Sequence, residues 1–137
     1  MSSYKEITTE FRNIESLKKA LADVGFAHCD LSANPKENGL SMVGYGGRPG
    51  ENVALRLPKS HYGGYEDTGF AWDEATKTYR AIISTHDGGG NFGAGTLQKL
   101  RQRYAYQEVK RQAQVKGYTV REVAGTDGVI RLQLTHR

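Results

Sequence analysis

One glycine-rich segment of the sequence has the residue types and the spacing that could hold a phosphate group. Residues 86–96 read HDGGGNFGAGT and lie between a predicted strand and a predicted helix. Backbone N–H groups at the start of a helix point at an anion, and the helix dipole adds a partial positive charge. The candidate anion-binding residues are Gly88, Gly90, Gly93, Gly95 and Thr96. A surface loop without a ligand is the alternative, because the chain has 17 glycines and such spacing arises easily.

This segment differs from the known nucleotide-binding motifs in two respects. Dinucleotide-binding glycines join a strand and a helix of a parallel sheet, whereas the pattern around residues 86–96 predicts antiparallel strands. In a phosphate-binding loop a lysine stands beside the Ser or Thr, and here Leu97 stands beside Thr96. The segment therefore predicts a site for a phosphorylated small molecule or nucleotide, but it does not identify the ligand.

The helix predicted after this segment concentrates the positive charge of the chain. Six Lys and Arg side chains oppose one Glu over residues 99–116, a net charge of +5; because the whole chain carries +4, the rest carries about −1. Four side chains recur at i, i+4, i+7 and i+11, which places them on one helix edge. They are Lys99, Arg103, Tyr106 and Lys110. Such cations bind phosphates and a tyrosine can stack on a base, so these are the candidate macromolecule-binding residues.

Two other partners fit the same helix edge. An acidic protein would use the same cations, and a solvated helix face needs no partner, because Lys and Arg stems also cover apolar surface. The sequence leaves these alternatives open.

Residue types that serve catalysis or metal binding occur in weak arrangements. His86 and Asp87 could form an acid-base pair, but neighbouring side chains at a strand end usually point apart and no nucleophile is tied to them. His28, Cys29 and Asp30 lack the spacing of metal ligands. We expect no catalytic residue, no metal and no cofactor, and a binding protein rather than an enzyme.

The composition predicts one domain in a reducing compartment. A chain of 137 residues can bury one core and is too short for two. Cys29 is the only cysteine, which excludes an internal disulfide and a paired-cysteine metal site. The first residues lack the apolar core of a signal peptide, and no apolar run reaches the roughly 18 residues that span a membrane. We expect a soluble cytoplasmic protein, or one in an equivalent interior such as the plastid stroma.

The hydrophobic pattern predicts the helices that position these residues. Residues 4–11 alternate as a half-buried strand, after which Asn13 caps a first helix and Gly25 ends it. A second helix is predicted to start with Thr96 as its cap and to stop at Gly117, with one buried apolar stripe. The stripe consists of Leu97, Leu100, Tyr104, Ala105, Val109 and Ala113.

The remaining segments predict strands and turns. The strand candidates are residues 40–45, 52–57, 69–72, 79–84, 118–123 and 129–135. Residues 60–67 predict an exposed loop, and Asp127 with Gly128 predicts the turn of a hairpin. The order of elements predicts the α+β class: a single domain over residues 1–137, with a mainly antiparallel sheet of about five to seven strands, two helices packed on one face, and a C-terminal β-hairpin.

The last third of the chain resembles a known family. The resemblance lies in residues 102–106 (QRYAY), 117–118 (GY) and 127–132 (DGVIRL). It extends less closely over nearly the whole chain, through residues 14–21, 43–46, 53–57 and 67–72. The family comprises conserved plastid and cyanobacterial open reading frames, is also found in bacteria, and is catalogued as domain of unknown function 1257. The resemblance implies a fold and no reaction, and it carries over no catalytic or binding residue.

Three functions are therefore open. The first is a non-enzymatic binding or accessory module that contacts a nucleic acid or an acidic protein through the basic helix. The second is a binder of a phosphorylated ligand, or a minor enzyme, that uses the glycine-rich loop. The third is a structural subunit of a larger assembly, whose oligomeric state the sequence does not fix.

Overall fold

A computed structural model describes residues 4–43, 49–62, 66–84, 92, 94–123 and 131–136. In chain order the elements are β1 (Tyr4–Ile7), α1 (Ile14–Asp23), β2 (Asp30–Leu31), β3 (Leu40–Val43), β4 (Pro49–Val53), β5 (Leu55–Leu57), α2 (Lys59–Tyr62), β6 (Thr68–Asp73), β7 (Thr78–Ser84), α3 (Ala94–Val115), β8 (Tyr118–Val123) and β9 (Arg131–His136). They form one domain of the α+β class, as the sequence predicts.

The central sheet has five antiparallel strands in the order β1-β7-β6-β5-β2. The longest pairing joins β6 to β7, from Gly69 opposite Ile82 to Asp73 opposite Thr78. The turn between them covers residues 74–77, and Lys77 within it has a φ of 58°. Because every neighbouring pair is antiparallel, short turns can connect the strands.

The two long helices cover one face of this sheet. The predicted cap of α1 is confirmed, because the Asn13 side chain accepts a hydrogen bond from the Ser16 N–H at 2.9 Å. Gly25 and Gly117 end the helices with φ of +100° and +90°, a backbone region that glycine adopts without strain. Apolar residues from both helices and from this face of the sheet form one cluster. It includes Phe11, Leu17, Leu21, Leu55, Phe70, Tyr79, Phe92 and Leu100.

The opposite face of the sheet is covered by a second, two-stranded sheet of β3 and β4. Met42 and Val53 from these strands pack with Ala71 and Ile82 of the central sheet, all four buried. A Cβ atom at Gly69 would lie 2.6 Å from Met42 Sδ and 2.7 Å from Val53 Cγ1. Only glycine therefore lets the two sheets approach this closely.

The Asn38 side chain completes the hydrogen bonding of β6 at Trp72, which does not pair with β5. The Trp72 N–H donates to Asn38 Oδ1 at 2.7 Å, and Asn38 Nδ2 donates to the Trp72 carbonyl at 3.0 Å. The Asn38 amide thus takes the place that a neighbouring strand would occupy. The loop between β2 and β3, which carries Asn38, is thereby fixed to the sheet.

The C-terminal hairpin is confirmed as a separate sheet of β8 and β9. The six pairs run from Tyr118 opposite His136 to Val123 opposite Arg131. The hairpin packs against α3 through β8. The predicted turn residues Asp127 and Gly128 lie outside the described residues.

Two predictions about the second helix are wrong. The helix begins at Ala94, so Thr96 lies in its first turn rather than at its cap; alanine is the best helix former and extends the helix towards the N-terminus. Ala105 and Val109 are exposed, Val109 at 47%. The middle of α3 instead turns Gln107, 8% exposed, towards α1.

Two predictions about the middle of the chain also need correction. The strand predicted over residues 52–57 divides at Ala54, where the chain passes from the two-stranded sheet of β4 to the central sheet. The exposed loop predicted over residues 60–67 is wrong at both ends. Lys59–Tyr62 is a helical turn, and Asp67 is buried, with its carboxylate accepting hydrogen bonds from the Val43 and Lys59 N–H groups.

Candidate functional site

The long helix α3 is fixed to the core by Leu97, Leu100 and Tyr104, all buried. The Tyr104 hydroxyl accepts hydrogen bonds from the N–H groups of Arg12 and Asn13 at 2.8 and 2.9 Å. Burial raises the pKa of this hydroxyl, so it keeps its proton at neutral pH. This contact ties the middle of α3 to the residues that precede α1.

A row of polar contacts joins α3 to α1. Asp23 Oδ2 accepts hydrogen bonds from Arg103 Nε at 3.0 Å and from Gln107 Nε2 at 2.8 Å. The Ser16 hydroxyl donates to Glu108 at 2.6 Å. Hydrogen bonding from Arg111 and from Ser16 outweighs burial and lowers the pKa of Glu108. The row holds α3 in one orientation, because each contact is directional.

Arg103 is the most engaged of the four residues predicted on the helix edge. Besides Asp23, its guanidinium contacts both carboxylate oxygens of Glu122, with Nη1 at 2.8 Å and Nη2 at 3.4 Å. It also lies over the Tyr106 ring, 4.2 Å from the centroid. Burial acts to lower its pKa, but the hydrogen bonds to Glu122 and Asp23 outweigh burial and raise the pKa of Arg103. Its charge is therefore matched by carboxylates of the chain itself.

The other predicted residues on this edge are less engaged. Lys99 is exposed and Lys110 is half-buried, with its ammonium 6.0 Å from the centroid of Tyr106. Neither lysine forms an ion pair with a described residue. Tyr106 is half-buried and stands between Arg103 and Lys110. The structure thus places all four residues along one edge of α3, as the spacing predicts.

The two other arginines of α3 are paired within the chain. Arg101 lies 3.6 Å from Glu10 and donates to the Thr8 carbonyl at 3.1 Å. Arg111 lies 2.9 Å from Glu108. The arginines of α3 therefore serve internal contacts, whereas Lys99 and Lys110 are left for other contacts.

Thr96, Lys99 and Arg103 line one surface pocket. It has a volume of about 660 Å³ and lies between the end of α1 and the first turns of α3. The lining residues are Asp23, Val24, Gly25, Thr96, Lys99, Gln102 and Arg103. Thr96 of the candidate anion-binding residues therefore meets Lys99 and Arg103 of the helix edge at this pocket.

A comparison with protein-family models matches residues 20–133 to the family described as Protein of unknown function (DUF1257). The chain belongs to this family. The match covers the resembling segments between residues 43 and 132, and it begins near the end of the first helix, at residue 20. Neither curated proteins nor solved structures give a match. No ligand or reaction is transferred to this DUF1257 chain, so its function has to be argued from its own geometry.

The structure describes only the C-terminal end of the glycine-rich loop of the DUF1257 chain. Gly88, Gly90 and Gly93 lie outside the described residues, as do His86 and Asp87. Gly95 lies in the first turn of α3, where an added Cβ atom would meet open space. Phe92 is buried against Phe26 and Phe70, with ring centroids 5.3 and 5.9 Å apart. The loop is thus anchored to the core two residues before α3 begins.

Two histidines that lie far apart in the sequence, His28 and His61, come together in the DUF1257 chain. The rings of His28 and His61 stack with centroids 4.2 Å apart. The Tyr62 hydroxyl accepts a hydrogen bond from the His28 N–H at 2.8 Å and donates one to the His28 carbonyl. Burial raises the pKa of the Cys29 thiol, which disfavours the reactive thiolate. Among the described residues, no group of three metal-ligand side chains forms.

Three residues of the site were not predicted from the sequence: Asp23, Gln107 and Glu122. Asp23 offers one signal, because a carboxylate in the last turn of a helix is unfavourable beside the negative end of the dipole unless a cation lies near. Glu122 offers none, because nothing in the sequence relates a strand position to a residue 19 positions earlier.

Among the described residues, no helix is long and apolar enough to cross a membrane.

Proposed function

We propose that this DUF1257 chain is a binding module that contacts a nucleic acid through the edge of α3. One observation supports this above all: the cations of α3 divide into two groups. Its arginines are matched by Glu10, Asp23, Glu108 and Glu122. Lys99 and Lys110 have no ionic partner among the described residues. Unmatched lysines on an otherwise matched helix are what a polyanion would bind.

The spacing of the lysines fits a phosphate backbone. Eleven residues of helix separate Lys99 from Lys110, a rise of about 16 Å. That length corresponds to about five phosphates of one strand in a duplex, at roughly 3.4 Å of helix axis per phosphate. Arg103 lies between the two lysines and supplies a further cation if one of its carboxylates is displaced. The edge would therefore follow the backbone of a strand over several nucleotides.

The role of Tyr106 in this proposal differs from base stacking. One face of its ring is covered by Arg103 at 4.2 Å, so Tyr106 holds the guanidinium through a cation–π contact. The proposed contact thus reads phosphates rather than bases. We expect weak sequence preference and a salt dependence set by two or three cations, with a slope of about −1.4 to −2 in log K against log salt.

The proposal is tested by fluorescence anisotropy with labelled single-stranded DNA and RNA at about 50 and 200 mM salt, a range over which phosphate contacts weaken. Lys99→Glu with Lys110→Glu should abolish binding. Lys19→Glu with Lys36→Glu changes the net charge equally at exposed positions outside α3 and should retain most of it. Equal loss in both variants, or no binding by wild type at the lower salt, would refute the proposal. Competition by polyglutamate as strong as that by DNA would point to an acidic protein instead.

The pocket beside Lys99 favours a second candidate function, the binding of a phosphorylated small molecule. Thr96 offers a hydroxyl, Lys99 an ammonium and Arg103 a guanidinium around a volume of about 660 Å³. Titration calorimetry with inorganic pyrophosphate tests this candidate. Replacing Gly90 and Gly93 by Ala, or Thr96 by Val, should weaken pyrophosphate binding and leave DNA binding unchanged. If these variants lose DNA binding and wild type does not bind pyrophosphate, this second candidate function is excluded.

A further inference from the structure

The C-terminal hairpin places a carboxylate on the binding edge of α3. Glu122 of β8 meets the Nη1 and Nη2 atoms of Arg103 at 2.8 and 3.4 Å, one oxygen to each nitrogen. This two-point geometry is the one with which arginine also binds phosphate. The contact lies beside the pocket that Arg103 lines with Lys99. An internal carboxylate thus occupies the anion-binding side of the guanidinium.

Arg103 has other contacts besides Glu122 that hold its side chain in place. Its Nε atom donates to Asp23 at 3.0 Å, and Asp23 is itself held by Gln107 at 2.8 Å. The guanidinium also rests on the Tyr106 ring. If Glu122 leaves, Nη1 and Nη2 are therefore presented to solvent by a side chain that is already oriented. Such prior orientation lowers the cost of binding a ligand.

Glu122 is the replaceable partner of Arg103. Its side chain is 40% exposed, against 28% for Asp23. It is carried by a two-stranded sheet that is not paired with the central sheet in the described part of the chain. Ion pairs at such exposure shift an equilibrium by about two- to five-fold. A polyanion that also contacts Lys99 and Lys110 would bind Arg103 more strongly than Glu122 does.

We infer that Glu122 is an internal competitor for the nucleic acid, and that a backbone phosphate binds Arg103 in its place. This inference rests on the proposed function and adds a contact residue and a form of regulation to it. In the free protein the hairpin covers Arg103. In the complex the phosphate takes Nη1 and Nη2, and β8 loses its ionic contact with α3.

The test compares three variants that each remove one negative charge: Glu122→Gln, Asp23→Asn and Glu37→Gln. Glu37 is exposed on the loop between β2 and β3 and serves as the matched control. In anisotropy with single-stranded DNA, Glu122→Gln should bind about two- to five-fold more tightly than the control. Asp23→Asn should bind no better than the control, because Arg103 loses its support. Thermal unfolding of each variant confirms that the comparison is made on folded protein.

The outcomes separate this inference from the proposed function. If wild type binds DNA and Glu122→Gln binds no better than Glu37→Gln, the inference is wrong and the proposed function stands. If no variant binds DNA, the proposed function is wrong, and the NMR signal of the Arg103 Nε–H under titration with inorganic pyrophosphate decides the inference. A response at lower pyrophosphate in Glu122→Gln than in wild type supports the competition. An equal response, or none, overturns it.

Discussion

The hydroxyl of Tyr104 forms contacts that its apolar neighbours cannot form. It accepts two backbone N–H groups, from Arg12 and Asn13. These donors lie just before the first turn of α1. There the Asn13 side chain already caps the helix by accepting a hydrogen bond from the Ser16 N–H. The helical spacing of the sequence predicts Tyr104 as a buried residue, and it is 5% exposed. The pattern could not predict the hydroxyl contact, because that contact joins positions 92 residues apart.

Tyr104→Phe tests how much this contact contributes to the free energy of unfolding. The substitution keeps the ring, which packs against Phe11 at 4.8 Å between centroids, and leaves two N–H groups without their acceptor. Because both hydrogen bonds are only part-buried, the free energy of unfolding should fall by about 0.5–1.5 kcal/mol, the net contribution of a typical hydrogen bond. Urea denaturation measures it. Tyr106→Phe is the control, because no hydrogen bond to a described residue is found for its hydroxyl; an equal loss there would argue against the Tyr104 contact.

At the scale of elements, the packing of two sheets against each other depends on one glycine. Gly69 lies in β6 where Met42 of β3 and Val53 of β4 cross the central sheet. The sequence predicts β6 as an aromatic strand and gives no reason for a glycine at its start. The reason appears only in the fold, because strands far apart in the chain meet at that point.

Gly69→Ala should lower the free energy of unfolding by about 1–3 kcal/mol, the usual cost of overpacking. The added Cβ would lie 2.6 Å from Met42 Sδ and 2.7 Å from Val53 Cγ1. Val53→Ala removes one of these contacts and should make the second substitution less costly. Gly95→Ala is the matched control: it lies in a helix with open space around it, and should be neutral or stabilise by up to about 1 kcal/mol. Denaturant unfolding of the four variants, Gly69→Ala, Val53→Ala, the double variant and Gly95→Ala, checks this; a neutral Gly69→Ala would contradict the close approach.

How far the elements follow from sequence depends on how local their causes are. Asn13 and Gly25 are predicted correctly because caps and left-handed stops act within a few residues. The position of Arg103 on a helix edge follows from helical spacing in the same way. Its partners Asp23 and Glu122 do not, because helix and strand packing brings them there. The candidate site is therefore half predictable: its cations come from the sequence and its carboxylates from the fold.

At the scale of the whole molecule, the described part of the chain consists of a layered body and an attached hairpin. The body is the central sheet with helices on one face and β3 and β4 on the other. The hairpin of β8 and β9 adjoins it through α3. Two strands alone are marginally stable in water, so the hairpin depends on its contact with α3, in which Arg103 and Glu122 take part.

Arg103→Gln should loosen the hairpin and leave the body intact. Hydrogen exchange should become faster in residues 118–123 and 131–136 and stay unchanged in β6 and β7, because the hairpin loses its ionic contact with α3, whereas Asp23 of α1 keeps its hydrogen bond from Gln107. The thermal midpoint of the body should change little, since partly exposed ion pairs contribute about 0–1 kcal/mol each. Arg111→Gln, which removes a contact within α3, is the control. Equally faster exchange in β6 and β7 would mean that hairpin and body unfold together.

The amide of Asn38 has a consequence for solubility. Where β5 stops, the N–H and carbonyl of Trp72 would form a short open edge beside a large aromatic side chain, and exposed edges of this kind recruit strands from other molecules. Asn38 closes that edge with both of its amide atoms. The loop that carries it therefore protects the folded protein against intermolecular β-pairing and aggregation.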